Sequence, residues 1–357
     1  MISFLSFVVA FVVTFIITPI SLVFIKRFGI FDDPKVHKHP AIIHKKPIPR
    51  SGGIPLFVGI LIAGILFLPL TSKIVIALFF ASLISLVVGV IDDKFDISPY
   101  LRFFINIIVA LIVVASGVGI PFITNPFGGI LYLSSIRIPF DLFGINLLIS
   151  FSDLVAIVWI VWVMNMLNWS KGVDGQMPGI VGISAFVIGV LSLRFPSTEQ
   201  NTLIATVLSF AIAGSSLGFL LFNFYPAKIF PGYGATSVYL LLAVVSILSG
   251  AKLATAILVM GVPMVDGIFT IFRRILSGRS PFKHDKKHLH HLLLNIGFSQ
   301  RSVALFYWFI SGIVGTISLL LSSKGKLFAL IMVVVLVGGA ILFLHLILSH
   351  NNDKKNI

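Results

Sequence analysis

The sequence predicts an all-α fold, a polytopic membrane helix bundle of about eleven transmembrane helices, with the N-terminus outside and the C-terminus cytoplasmic. Three observations carry this. First, 58% of the 357 residues are hydrophobic and only 11% are charged. A water-soluble chain of this length cannot hide that much apolar surface, so its exterior must face lipid. Second, the apolar residues fall into runs that match the roughly 20 helical residues needed to cross a hydrocarbon core about 30 Å thick. Third, Lys and Arg are concentrated in one set of alternate loops taken together, as retention of basic residues on the cytoplasmic side requires.

The candidate spans are, in order, 4–25, 54–71, 74–91, 103–120, 147–167, 178–194, 202–225, 237–250, 253–272, 303–322 and 327–349. No basic segment precedes the first span, and Lys26 and Arg27 follow it. That is the pattern of an uncleaved anchor with its N-terminus outside. In that orientation, segments 26–53, 92–102, 168–177, 226–236, 273–302 and the tail hold 20 of the 26 Lys and Arg, and the other loops hold six. Segment 121–146, the largest on the outer side, is rich in Gly, Pro and β-branched residues and is expected to form a short hairpin capping the bundle. Nothing divides the chain, so it reads as one integral membrane domain, 1–357. Its polar motifs occupy residues 30–302, and the spans within 303–349 are additional.

The absence of cysteine excludes disulfides, iron–sulfur clusters and thiolate metal sites. The net charge of +14 sits in loops between spans, where it sets topology, so nucleic acid is not an expected partner.

Five polar constellations all fall on the predicted cytoplasmic loops or the helix ends bordering them. The first runs from His44 through Lys45, Lys46 and Arg50 to Gly52-Gly53, after Asp33-Pro34. Its cations suit phosphate oxygens, or else simply set topology. The second is Asp92-Asp93, closing the third span; adjacent carboxylates there suit Mg²⁺ or proton acceptance, or a solvated helix end. The third is Asn165-x-x-Asn168 followed by Lys171 and Asp174-Gly175. A spacing of three puts both amides on one side of the ending helix. The fourth, Phe230-Pro-Gly-Tyr-Gly-Ala-Thr-Ser237, is a Gly-rich turn opening the eighth span, which suits an anion or a plain tight turn. The fifth joins Arg273-Arg274, through Asp285-Lys286-Lys287, to His288, His290 and His291. It suits a diphosphate better than a metal, because the lysines repel cations. Asp266, inside the ninth span after Pro263, is a further candidate by its position.

In this order and topology, over residues 30–300, the motifs resemble the polyprenyl-phosphate N-acetylhexosamine-1-phosphate transferases, glycosyltransferase family 4. The resemblance implies attack of a polyprenyl (undecaprenyl) phosphate on a UDP-N-acetylamino sugar, with Mg²⁺ as cofactor and UMP as leaving group. The reaction would initiate a cell-envelope polysaccharide at the cytoplasmic face of the plasma membrane, and the His motif looks closest to the branch that initiates O-antigen and teichoic acid. A homodimer is implied on the same ground. By the same match, Asp92, Asp93 and Asp174 are the catalytic carboxylates, with Asp92 and Asp93 near any metal. Lys45, Lys46 and Arg50 would hold the lipid phosphate. Asn165, Asn168 and Lys171 would line the nucleotide–sugar cleft, and Arg273, Arg274, His288, His290 and His291 would contact the diphosphate and sugar.

Two positions depart from the family pattern. Lys171 stands where the first Asp of Asn-x-x-Asn-x-x-Asp-Gly-x-Asp-Gly belongs, and Tyr233 stands where the Gly-rich turn carries a metal-binding Asp. Two readings follow: a transferase in which the Lys171 ammonium supplies charge in place of Mg²⁺, or an inactive relative that binds polyprenyl phosphate or nucleotide-sugar. A transporter is a third, disfavoured because the polar groups cluster on one face and not through the midplane.

Overall fold

The computed structural model describes residues 1–36, 42–125, 127–142, 145–196, 199–249, 253–280 and 286–355, with the side chains of 140–148 and 349–355 outside that description. The helices are α1 (Ile2–Arg27), α2 (Gly53–Phe67), α3 (Lys73–Phe95), α4 (Pro99–Ala115), α5 (Phe151–Trp169), α6 (Gln176–Ser192) and α7 (Gln200–Asn223). A 3-10 turn (Tyr233–Ala235) leads into α8 (Thr236–Leu248), followed by α9 (Leu253–Val259), α10 (Gly261–Leu276), α11 (Leu289–Asn295), α12 (Gln300–Leu320) and α13 (Ser323–Lys355). The protein is an all-helical, multi-pass membrane protein. Among the described residues, α1, α3, α5, α7, α12 and α13 are each long and apolar enough to cross a membrane. The helices α2, α4 and α6 and the segment Tyr233–Leu248 are shorter apolar helices.

The span expected over 253–272 is broken. Its two halves, α9 and α10, meet at Met260 at an angle of 81°. Pro263 supplies the cause: it has no N–H for the carbonyl of Val259, and its ring crowds that carbonyl. The span expected to begin at 147 begins at Phe151, because Ile145–Ser150 forms a strand paired with Arg137–Leu142. Together with the pair Phe122–Thr124 and Ile130–Tyr132, this makes two antiparallel hairpins where one was expected.

Small residues set the packing at the centre. A Cβ on Gly214 of α7 would lie 2.1 Å from the Phe7 carbonyl oxygen of α1, and one on Gly59 of α2 would lie 2.0 Å from Thr14 Oγ1. The backbones therefore touch, and hydroxyls join them. Thr14 Oγ1 donates to Ser215 Oγ (2.9 Å), and Ser215 Oγ donates to the Leu56 carbonyl (2.8 Å). Lipid offers no hydrophobic gain for helix association, so close contact and shared hydroxyls hold α1, α2 and α7 together. Replacing Gly214 with Val forces α1 away; we expect a loss of about 1–3 kcal/mol, read as a lower thermal midpoint in detergent. At the other side α12 docks through Trp308, whose Nε1 donates to the Gly175 carbonyl (3.2 Å) and whose ring lies over Gly179.

Candidate functional site

The site starts at the corner between α3 and α4. Asp96 takes a left-handed conformation (φ 49°) that ends α3, and its N–H donates to the Asp92 carbonyl (2.8 Å). Ser98 caps α4 by accepting from the Tyr100 N–H (3.3 Å), and Pro99 starts the helix where its missing N–H costs nothing. This tight return brings Arg102, one turn into α4, back onto Asp92: Arg102 Nε donates to Asp92 Oδ1 (2.6 Å), and the same guanidinium reaches Asp96.

Asp93 is 2% exposed and is held from two directions. Ser51 Oγ donates to its Oδ2 (2.7 Å), and the Tyr233 N–H donates to its Oδ1 (2.7 Å). Ser51 adopts φ 92°, a strained conformation for a residue with a Cβ, so its hydroxyl is aimed at a cost. Arg50 Nε lies 3.5 Å from Asp93 Oδ1 and donates to the Asp93 carbonyl (2.7 Å).

The first and fourth motifs thereby form one unit. The Phe230 N–H donates to the Pro49 carbonyl (2.8 Å), and the Gly52 and Gly53 N–H groups donate to the carbonyls of Phe230 and Pro231 (2.9 Å each). The glycines serve close approach: a Cβ on Gly53 would lie 2.2 Å from the Gly234 backbone, and one on Gly232 (φ 68°) would lie 2.1 Å from Asp93 Oδ2. The turn packs against Asp93 and pins it.

The loop after α5 brings Lys171 into the same place. Its Nζ donates to the Gly232 carbonyl (3.0 Å) and lies 5.9 Å from the Tyr233 ring centroid; the Arg102 guanidinium carbon is 5.3 Å from that centroid. Two cations thus sit on the π system of one phenol. Burial lowers the Lys171 pKa to about 8, opposed by the carboxylates of Asp93 and Asp92. Three residues on, burial raises the pKa of Asp174, although its Oδ2 accepts from the Ala227 N–H (2.9 Å). Asn223 ties this loop down by accepting from the Gly175 N–H (3.0 Å) and donating to the Ile229 carbonyl (2.8 Å). Asn165 Nδ2 bonds back to the Val161 carbonyl (2.7 Å), whereas the buried Asn168 Oδ1 has no partner among the described residues.

The His cluster lies across the cleft on α11. The Asp266 carboxylate accepts from the Leu289 N–H (2.9 Å) and lies 2.8 Å from His288 Nδ1. A carboxylate only accepts, so Nδ1 carries a proton and donates to it. The His288 and His290 rings stack at 5.5 Å, and His290 packs on Gly172, where a Cβ would lie 1.9 Å from its Nε2. Burial, reinforced by His291 and His288, pushes the His290 pKa well below its ordinary value, so that ring is neutral at pH 7. Asp266 positions His288. We expect Asp266→Asn to lower the turnover rate about tenfold while leaving the folded fraction in detergent unchanged.

Together these groups line one cavity of about 550 Å³ at one end of the bundle. Of the predicted site residues, it gathers Arg50, Asp92, Asp93, Asn165, Asn168, Lys171, Asp174, Arg274, His288, His290 and His291. Lys45, Lys46 and Arg273 do not line it. Lys45 and Lys46 are exposed on a bend, and His44 and Arg50 point inward instead. On α10 it is Arg274 that turns in, 5% exposed, while Arg273 donates to the Lys287 carbonyl (3.0 Å). Residues 281–285, within the fifth motif, lie outside the described residues. Sequence reasoning missed Arg102, Ser51 and Asn223. Arg102 carried a signal, a lone charge in the first turn of an apolar helix; the other two carried none.

The residues present do not fit Mg²⁺. Asp92 Oδ1 and both Asp93 oxygens already accept hydrogen bonds, and Arg50, Arg102 and Lys171 surround the pair. Tyr233 turns a ring toward those cations, and its hydroxyl pairs with Asn106 (3.2 Å). Among the described residues no group of three or more His, Asp or Glu is arranged to hold a metal ion.

A carboxylate pair among cations thus lies in a cleft at one end of a lipid-facing bundle. The glycosyl transferase family 4 profile matches residues 75–250. The chain is 30% identical over 340 residues, 93% of its length and 88% of the relative's, to the probable undecaprenyl-phosphate N-acetylglucosaminyl 1-phosphate transferase of Bacillus subtilis. It is 32% identical over 302 residues (76% and 73% of the two chains) to the decaprenyl-phosphate N-acetylglucosaminephosphotransferase of Mycobacterium leprae. It is 29% identical over 329 residues (89% and 85%) to the undecaprenyl-phosphate alpha-N-acetylglucosaminyl 1-phosphate transferase of Haemophilus influenzae. The chain belongs to glycosyl transferase family 4, within the polyprenyl-phosphate N-acetylglucosamine-1-phosphate transferases.

Proposed function

We propose that the protein transfers N-acetylglucosamine 1-phosphate from its UDP derivative to undecaprenyl phosphate, initiating a cell-envelope polysaccharide at the cytoplasmic face of the plasma membrane. The observation that carries this is the cavity in which Asp92 and Asp93 are ringed by Arg50, Arg102 and Lys171. Two anionic substrates must meet there, and close cations are what such a meeting needs. Among the described residues six helices are long and apolar enough to span, seven with the bent α9–α10 pair taken as one span. If the four shorter apolar helices also cross, the total is the eleven expected from the sequence, with the termini on opposite sides. The segments expected to be cytoplasmic, from which the cavity's loop residues come, hold 20 of the 26 Lys and Arg, which supports a cytoplasmic site.

In this reading an oxygen of the lipid phosphate attacks the β-phosphorus of the UDP-sugar. The bond from that phosphorus to the bridging oxygen breaks, and UMP leaves. Arg50, Arg102 and Lys171 draw the two anions together. Asp92 and Asp93 hold those cations in place and accept the proton when the lipid phosphate arrives protonated. Asn165 and Asn168, through the open Oδ1 of the latter, take the nucleotide–sugar, and Arg274, His288 and His291 close the opposite wall. Asp174 fixes the loop that carries Lys171.

The test is incubation of the detergent-purified protein with undecaprenyl phosphate and UDP-N-acetylglucosamine radiolabelled in the sugar. We expect label in the lipid extract, with UMP as by-product. UDP as by-product would mean direct sugar transfer, and no labelled lipid with any UDP-amino sugar would leave only a binding protein.

A further inference from the structure

We infer that this site works without a divalent cation, the charge of the meeting phosphates being met by Lys171, Arg50 and Arg102. The inference rests on the proposed transfer reaction and deepens it. The immediate cluster is already neutral. Asp92, Asp93 and Asp96 supply three negative charges, and Arg50, Arg102 and Lys171 supply three positive ones. In the unliganded cluster an incoming Mg²⁺ would find no uncompensated negative charge, its attraction to the carboxylates being offset by three fixed cations at close range. Three of the pair's four carboxylate oxygens accept hydrogen bonds: Asp92 Oδ1 from Arg102 Nε at 2.6 Å, Asp93 Oδ2 from Ser51 at 2.7 Å and Asp93 Oδ1 from the Tyr233 N–H at 2.7 Å.

The two unusual residues act as a pair. Tyr233 offers the cations a ring face on which Arg102 and Lys171 both rest, where a carboxylate would have bound them, or a metal, outright. Lys171, anchored through Nζ on the Gly232 carbonyl (3.0 Å), keeps a fixed charge beside the Asp pair. Asp at both positions would move the cluster by three charge units, from neutral to −3, and so create a place for a divalent ion. Either single change leaves a charge pattern suited to neither arrangement.

The reaction balances without a metal and without net proton release. The dianionic lipid monophosphate and the diphosphate of the UDP-sugar carry four negative charges between them. The lipid diphosphate diester and UMP carry the same four. One phosphorus–oxygen bond forms and one breaks, so the site needs fixed positive charge and nothing that is consumed.

The experiment is Mn²⁺ binding followed by electron paramagnetic resonance on the purified full-length protein, beside the transfer assay in Mg²⁺ and in EDTA. It uses the wild type and the double variant Lys171→Asp/Tyr233→Asp. The wild type is expected to bind no Mn²⁺ that Asp93→Asn abolishes, and its transfer rate is expected to change less than about twofold in EDTA. The double variant is expected to acquire one Mn²⁺ site and, where it transfers, to lose transfer in EDTA. Wild-type Mn²⁺ binding that Asp93→Asn removes would overturn the inference, as would a wild-type rate abolished by EDTA and restored by Mg²⁺. If the wild type transfers nothing under any condition, the reaction reading falls. The Mn²⁺ result then still decides the inference about this site's preference for fixed cations.

Discussion

Asp93→Asn lowers sugar-phosphate transfer about 10³-fold and leaves the bundle folded. The size follows from what the change removes. Asn keeps the shape, and its amide oxygen can accept from the Tyr233 N–H. Its amide nitrogen can donate to Ser51 Oγ, since a hydroxyl rotates to accept. The negative charge is what disappears. Arg50 and Lys171 then face each other across a buried position with one fewer anion between them, and the proton acceptor for a protonated lipid phosphate is gone. Initial rates of lipid-linked product, with size-exclusion profiles of both proteins, check this. A rate within tenfold of wild type in a well-folded variant would remove Asp93 from the reaction.

Lys171→Met lowers transfer about 10²-fold or more and removes a limb of the pH–rate profile. Met fills similar volume and keeps the loop packed, but it carries no charge and donates nothing to the Gly232 carbonyl. The groups facing Lys171 are Asp92 and Asp93 on α3, Arg50 before α2 and Arg102 on α4. The carboxylates favour its ammonium form, whereas the guanidinium groups and burial oppose it, and the result is a pKa of about 8. The sign follows directly. The ammonium is the working form below that value, so the wild-type rate is flat near pH 7 and falls as pH rises through about 8. In Lys171→Met the alkaline fall near that pH is absent. A wild-type rate that stays flat to pH 10 would show that the Lys171 charge is not used.

Much of this was legible in the sequence because bilayer physics leaves few choices. Apolar runs of spanning length became helices at nearly the expected bounds, and the motif residues of the loops converged at one end. The misses have local causes. Pro263 broke a run that hydropathy reads as continuous, because hydropathy does not see a missing N–H. Ile145–Ser150 is apolar enough to extend a helix, yet its pairing with Arg137–Leu142 makes it a strand. Lys45 and Lys46 looked like phosphate ligands by type, but their backbone bend points them outward, and a pattern of residue types does not fix direction. Arg102 and Ser51 were invisible as partners of the Asp pair, since ten and forty-two residues of chain separate the contacts. Lys171 and Tyr233 stood out as departures. Only the geometry shows that Lys171 lies over the Tyr233 ring and bonds to the turn that carries it.

The most direct measurement is an electron cryomicroscopy structure of the wild-type protein with UDP-N-acetylglucosamine, prepared in EDTA. The account predicts the diphosphate inside the cavity within hydrogen-bond reach of Lys171 Nζ and of Arg50 or Arg102, with the nucleotide–sugar against Asn168 and the His wall. A diphosphate held elsewhere, or no ordered nucleotide until a divalent ion is added, would contradict it.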